Sequence, residues 1–264
     1  MANYLITGAS GGMGSAVCRL LAEKGHRVWG IDRAVPVDAH KGWAFIEADV
    51  TSSDALQAAF HRVKADAGTL DGVIHTAGVY DLNSLVEMSE EDFLRDFNVN
   101  LFGMFRVNKL FLPLLKKGAR IVIISSELAP LNPLPFTRIY AITKAAVEKY
   151  AASLRMEVQL LGHKVVVIRP GAVQTNMLPA STEKLDRFCA ETKLYQCNAS
   201  RFKNIVDRVE TRNIPADRIA EVVYGGLTAK HPRLLYNINR NPLLLLLNAL
   251  PSRLQLWIIR SILR

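Results

Sequence analysis

The chain has 264 residues, enough for one large domain with a sizeable core. Half of them are apolar and 22% are charged, the balance of a folded globular protein rather than a disordered or fibrous one. The net charge of +9 is uneven: 27 basic and 24 acidic residues precede position 222, and six basic and no acidic residues follow it. That distribution argues against a nucleic-acid-binding surface over the whole molecule and leaves open a local anionic partner, such as a phospholipid surface.

Cys18, Cys189 and Cys197 stand at spacings that give neither a disulfide framework nor a zinc pattern. Reduced thiols in a cytoplasmic protein are the expectation. Met1 leads almost directly into a strand, so no signal peptide is expected. No apolar run approaches the roughly 20 residues of a membrane-spanning helix.

Short apolar runs alternate with helical patterns. Tyr4–Thr7, Arg27–Ile31, Ala44–Glu47, Gly72–His75, Arg120–Ser125 and Lys164–Arg169 read as strands. Met13–Lys24, Ser53–Ala67, Glu90–Leu115 and Tyr140–Leu161 read as helices. Ile121–Ile124 and Val165–Ile168 are apolar at every residue, which suits strands covered on both faces. The prediction is a single-domain α/β fold, a doubly wound parallel sheet spanning residues 1–238.

The first strand runs into Thr7-Gly8-Ala9-Ser10-Gly11-Gly12-Met13-Gly14 and then a helix. Glycines there allow a tight turn and close approach of backbone N–H groups to a pyrophosphate at the helix N-terminus. Asp32 ends the next strand, where its carboxylate can accept hydrogen bonds from ribose hydroxyls and repel a 2′-phosphate. NAD is therefore favoured over NADP; Arg33, directly after, is the residue able to contact a 2′-phosphate.

Tyr140 and Lys144 stand four apart on one helix face. A cation beside a phenol favours the phenolate, so Lys144 is expected to lower the Tyr140 pKa and fit it for proton transfer at a carbonyl or alcohol. Residues 172–215 are long, polar and weakly periodic, and read as a substrate flap at the carboxyl edge of the sheet. Residues 239–264 read as a helical extension opening at Asn241-Pro242 and again at Pro251-Ser252. In its second helix Arg253, Arg260 and Arg264 share one face, and Leu254, Trp257, Ile258 and Ile262 another. That pattern suits packing over the substrate mouth or onto another subunit, and equally peripheral contact with a membrane surface.

Together these residues resemble the short-chain dehydrogenase/reductase family in its single-domain Rossmann-fold form, over about residues 3–177. The resemblance implies cofactor contacts at Gly8, Ser10, Gly12, Met13, Gly14, Asp32 and Arg33, with Asp49 and Val50 at the adenine ring. It further implies contacts at Ala77, Gly78, Pro170, Gly171, Val173 and Thr175, and at Tyr140 and Lys144. It implies a catalytic set of Asn100, Ser126, Tyr140 and Lys144, with Ser126 donating to the substrate oxygen and Asn100 holding a water that links Lys144 to solvent. The implied activity is NAD(P)-dependent oxidoreduction of a secondary alcohol or ketone, in a homodimer or homotetramer without a metal.

Two departures stand out. The family's Asn-Asn-Ala-Gly turn appears as His75-Thr76-Ala77-Gly78, with Thr76 expected to supply part of the missing bracing and His75 expected to be structural. The family serine commonly stands 13 residues before the tyrosine, where this chain has Glu127; Ser126 stands at 14, consistent with one residue inserted in Pro130–Pro135. Strand alternation turns Ser125 the other way. Leu128, Leu131, Leu134, Phe136, Leu178 and Phe188 predict an apolar substrate of steroid, retinoid or lipid kind. The rival readings are a catalytically silent dinucleotide sensor and a membrane-docked interaction protein on the same fold.

Overall fold

The computed structural model describes residues 1–35, 42–137, 139–175 and 177–264, apart from the side chains of 177–181 and 210. The predicted wall residue Leu178 therefore lies outside the described side chains.

Strands β1 (Asn3–Thr7), β2 (Arg27–Asp32), β3 (Ala44–Glu47), β4 (Leu70–His75), β5 (Leu115–Ile124), β6 (Lys164–Pro170) and β9 (Leu235–Ile238) form one sheet in the order β3-β2-β1-β4-β5-β6-β9. Every neighbouring pair is parallel. The period of two along each strand splits the apolar residues between two covering layers. Ile6, Ile74, Val122 and Val166 pack against α1 (Gly12–Glu23) and α8 (Ala216–Thr228). On the other face Leu5 and Val73 meet α2 (Ser53–Ala67) and α4 (Met104–Phe111), while Ile121, Ile123 and Val165 meet α5 (Tyr140–Val158). The predicted doubly wound parallel sheet is the fold observed.

The predicted continuous helix over Glu90–Leu115 is broken. It divides into α3 (Glu90–Phe97), a π-helical segment at Asn98–Gly103, then α4, and β5 already begins at Leu115. A Cβ at Gly103 would lie 2.7 Å from Val50 Cγ2, so the missing side chain lets this segment close on the end of the third strand's loop. Wide π turns of this kind recur at functional sites, and this one carries Asn100.

Residues 172–215 form helices rather than a loop: α6 (Met177–Glu191) and α7 (Gln196–Glu210), framed by the short parallel pair of β7 (Val173–Gln174) and β8 (Ile214–Pro215). Leu185, Phe188, Ala199 and Phe202 are buried there against Leu82 and Phe136. Glu87 ties down the joint between the two helices, accepting from Thr192 Oγ1 at 2.7 Å and Lys193 N at 2.9 Å.

Helices α9 (Pro242–Ala249) and α10 (Ser252–Leu263) follow β9, and Asn241 caps the first by accepting from Leu243 N at 3.0 Å. Gln255, Ile259 and Leu263, spaced by four, form the inward edge of α10. Asn198 Nδ2 donates to Leu263 O at 2.7 Å, fixing α10 to α7. The face division expected from sequence is thus corrected: Trp257, 65% exposed, points outward together with the exposed Arg253, Arg260 and Arg264. Among the described residues no helix is long and apolar enough to cross a membrane.

Candidate active site

Strand β1 turns into α1 through three glycines, Gly8, Gly12 and Gly14, that leave no room for a side chain. Gly8 has φ 74°, and a Cβ there would lie 2.5 Å from Ala77 N. A Cβ at Gly14 would overlap the Gly8 carbonyl, and one at Gly12 would lie 2.8 Å from Thr175 Cβ. The α1 N-terminus thus faces an open groove lined by Gly8, Ser10, Gly12, Met13, Gly14 and Gly78, which fits the diphosphate of a dinucleotide. Thr76 braces this turn as expected, its Oγ1 donating to Thr7 O at 2.7 Å. Asp32 receives Ser10 N at 2.9 Å and Arg33 N at 2.7 Å, so the strand-end carboxylate is oriented by backbone. Arg33 and Asp49 line a neighbouring groove, where Thr51 N and Oγ1 donate to Asp49 at 2.7 and 2.8 Å. Val50 is buried against Gly103 rather than lining that groove.

Four predicted residues meet at the carboxyl ends of β4 and β5. The Ser126 hydroxyl is hydrogen-bonded to the Tyr140 phenol, despite the one-residue offset. Glu127 turns aside and accepts from Asn241 N at 2.7 Å. Ser125 points the other way, donating to Glu148 Oε1 at 2.8 Å. Asn100 clamps the residues after Gly78 to α5: its Nδ2 donates to Val79 O at 3.1 Å and Thr143 Oγ1 at 3.0 Å, and its Oδ1 accepts from Val79 N at 2.8 Å. Its amide therefore serves first as a positioning clamp. Lys144 is 6% exposed and donates to Ile124 O at 3.0 Å.

The electrostatics correct one expectation. Burial pushes the Tyr140 phenol up to about 12, with the Ser126 hydrogen bond working downward against it. Lys144 Nζ lies 5.6 Å from the phenol ring centroid and is itself pulled down to about 8 by burial, with the Glu148 carboxylate opposing. Burial thus sets the direction of the shift, and Tyr140 rests as the neutral phenol. His75 is structural, as expected: it is buried, bonded through Nε2 to Asn108 Oδ1 at 2.9 Å, and drawn down to about 4 by burial.

Other residues of the site are invisible to local motif reading. Tyr80 packs edge-on against Tyr140 with centroids 4.7 Å apart. Arg169 grips Glu148 through Nε and Nη2 at 2.6 and 2.5 Å, tying α5 to β6 one turn beyond Lys144. Spacing did offer a signal for Glu148, which stands four residues after Lys144, and for Thr143, which lies inside the motif.

Above these groups lies a cavity of about 200 Å³. Pro170, Gly171, Val173 and Thr175 line its floor beside Lys144. Its outer wall includes Leu128 and Leu134, as predicted, and also Phe202, Val206 and Val209 of α7 and Leu244 of α9. Phe136 and Phe188 pack instead into the aromatic cluster behind it, their ring centroids 5.1 Å apart, and Leu131 is not among the wall residues.

Comparison with known proteins matches residues 2–186 to the family model described as short chain dehydrogenase. The chain is 32% identical to retinol dehydrogenase 7 of Mus musculus, over 88% of this chain and 78% of that protein. It is 27% identical to 3-ketodihydrosphingosine reductase of Bacteroides thetaiotaomicron, over 86% of this chain and 84% of that one. A solved short chain dehydrogenase family protein from Francisella tularensis superposes with a TM-score of 0.73 at 25% identity, covering 90% of this chain and 98% of that one.

The lowered Lys144 ammonium has a consequence for stability. It ordinarily titrates at 10.5 and here at about 8, so between those values the unfolded chain holds a proton that the folded chain has released. The wild type should therefore gain stability relative to Lys144→Met as pH rises through that window, by up to about 1.4 kcal/mol per pH unit, and the gain should be lost as pH falls through the lower value. Urea unfolding of both proteins across the window measures this; a constant difference would contradict the buried ammonium.

Proposed function

The chain belongs to the short-chain dehydrogenase family and is an oxidoreductase acting on a CH–OH or C=O group, and from that premise we propose that it moves a hydride between NAD and an apolar secondary alcohol or ketone. One observation carries the reading: the Ser126 and Tyr140 hydroxyls converge at the base of an apolar cavity, next to the buried Lys144 and a glycine groove.

When bound, the nicotinamide would supply or accept the hydride. The residues proposed to hold it are those of the Gly8–Gly14 turn, Asp32, Ala77, Gly78, Pro170, Gly171, Val173 and Thr175. Asp49 and Val50 would close the adenine end, with Asp49 the side chain facing the groove. Tyr140, held protonated, donates its proton to the substrate oxygen in reduction and receives it back in oxidation. Ser126 donates to the same oxygen and stabilises negative charge on it. Lys144, cationic below about 8, balances the charge left on Tyr140 after proton donation. Asn100 positions α5 and the turn after Gly78.

Asp32 supports NAD over NADP. A 2′-phosphate beside its carboxylate would be repelled by about 1–4 kcal/mol at separations near contact, and the exposed Arg33 offsets only part of that. The apolar wall supports a lipid-like substrate, in keeping with the names of the retinol and sphingoid relatives. The outward Trp257 among arginines, with Leu243 and Leu246 exposed on the adjoining helix, supports peripheral contact with an anionic membrane. Flotation with anionic liposomes should therefore be lost in a Trp257→Glu, Arg260→Glu variant; unchanged flotation of that variant would remove the membrane contact.

The reaction is tested with Tyr140→Phe. It should bind NADH as the wild type does, about tenfold or more tighter than NADPH, by nicotinamide fluorescence. Turnover on a panel of apolar ketones should fall by about 10²–10⁴-fold. Near-normal turnover would sink the assignment of Tyr140, and a preference for NADPH would sink that of Asp32.

A further inference from the structure

The groove at the α1 N-terminus contains a cation that the reaction does not use. Among the residues lining it, Lys184 and Asp81 are the charged side chains. Lys184 projects from α6 of the flap, and its Nζ meets Asp81 Oδ1 at 2.5 Å. Asp81 is 3% exposed, and its second oxygen receives Arg95 Nη2 at 3.1 Å. The Lys184 side chain keeps 48% exposure, while its neighbour Leu185 is fully buried in the flap core. Its backbone is therefore anchored, while its ammonium, paired with Asp81, sits at the end of a flexible stem.

A diphosphate in this groove brings negative charge to a helix N-terminus, whose dipole supplies only about half a positive charge. Asp81 at the same wall adds to the negative side. Neutrality calls for a cation, and Lys184 is the cationic side chain among the residues that line the groove. Arg95 stays behind with Asp81 and Asp96, at 3.2 Å from Asp96 Oδ1, so Asp81 is not stranded when the lysine moves.

We propose that Lys184 is a binding residue for the cofactor diphosphate, parked on Asp81 until the dinucleotide enters and then shared with a phosphate oxygen. The inference rests on the NAD reading above. It gives the flap a direct contact with the cofactor as well as with the substrate, and it gives Asp81 the role of a competitor for the lysine.

The test uses full-length chains and two probes, ADP-ribose, which carries the diphosphate, and adenosine, which does not. Lys184→Met should weaken ADP-ribose binding about tenfold at low salt and leave adenosine within about twofold, with the gap closing as salt rises. Lys184→Arg should restore most of the loss. Asp81→Asn should bind ADP-ribose at least as tightly as the wild type, because the competing charge is gone. Unchanged ADP-ribose affinity in Lys184→Met would overturn the proposal. Equal losses in Lys184→Met and Asp81→Asn on both probes would also overturn it, since an ion pair that merely holds the flap predicts that result. A wild type that binds neither ADP-ribose nor NADH would instead remove the cofactor reading itself.

Discussion

The desolvation of one face of α5 is the constraint on which the rest of this molecule depends. Tyr140 and Lys144 lie on it, and taking the phenol partly and the ammonium almost wholly out of water moves their pKa values in opposite directions, the phenol up to about 12 and the ammonium down to about 8. A buried ammonium without partners would be costly. The Ile124 carbonyl and the Glu148 carboxylate provide the compensation, and Arg169 and Ser125 in turn hold Glu148. The same burial leaves Tyr140 protonated at rest, which suits the proton donation proposed for it.

The fold supplies that dry face by layering. The sheet presents the ends of β1, β4, β5 and β6 side by side, and each end contributes one part of the site: the glycine turn, Thr76 to Gly78, Ser126, and Pro170 with Gly171. The flap helices and α10 then cover the opening with a second, smaller apolar cluster around Phe136 and Phe202. Glu127 links the layers, because its carboxylate holds the backbone where α9 begins. The residue at the family's usual serine spacing has thus become the anchor of the C-terminal cover.

Local chemistry was readable in the sequence, and long-range packing was not. Strands such as Val165–Ile168 announce their burial because every residue is apolar, and Gly8 and Gly14 announce a close approach because nothing larger fits. The helices of residues 172–215 leave a weak sequence signal because their core residues, such as Leu185 and Phe202, are single apolar positions among charged ones. Strand β9 is a short edge strand with an exposed Asn237. A π turn leaves no mark in composition, so the break at Asn98–Gly103 could not be foreseen. The direction of the Tyr140 shift is not legible in the sequence because the Lys144 spacing is visible there, whereas Tyr80, which packs on the phenol ring, and the cavity residues Phe202 and Leu244 are distant in the chain. The inward edge of α10 is not legible in the sequence for a related reason: Gln255 is polar, yet it is buried, accepting from Asn132 Nδ2 at 2.9 Å and donating to Leu250 O at 2.7 Å.

In the proposed reaction this cavity brings a carbonyl carbon to the hydride of a nicotinamide while Tyr140 protonates its oxygen. Turnover of an apolar ketone with NADH deuterated at C4 of the nicotinamide, on the transferred face, tests it most directly. Deuterium should appear on the carbinol carbon of the alcohol product, at one face only, with the hydroxyl proton coming from solvent. A product whose carbinol hydrogen comes from water, or deuterium spread over both faces, would contradict it.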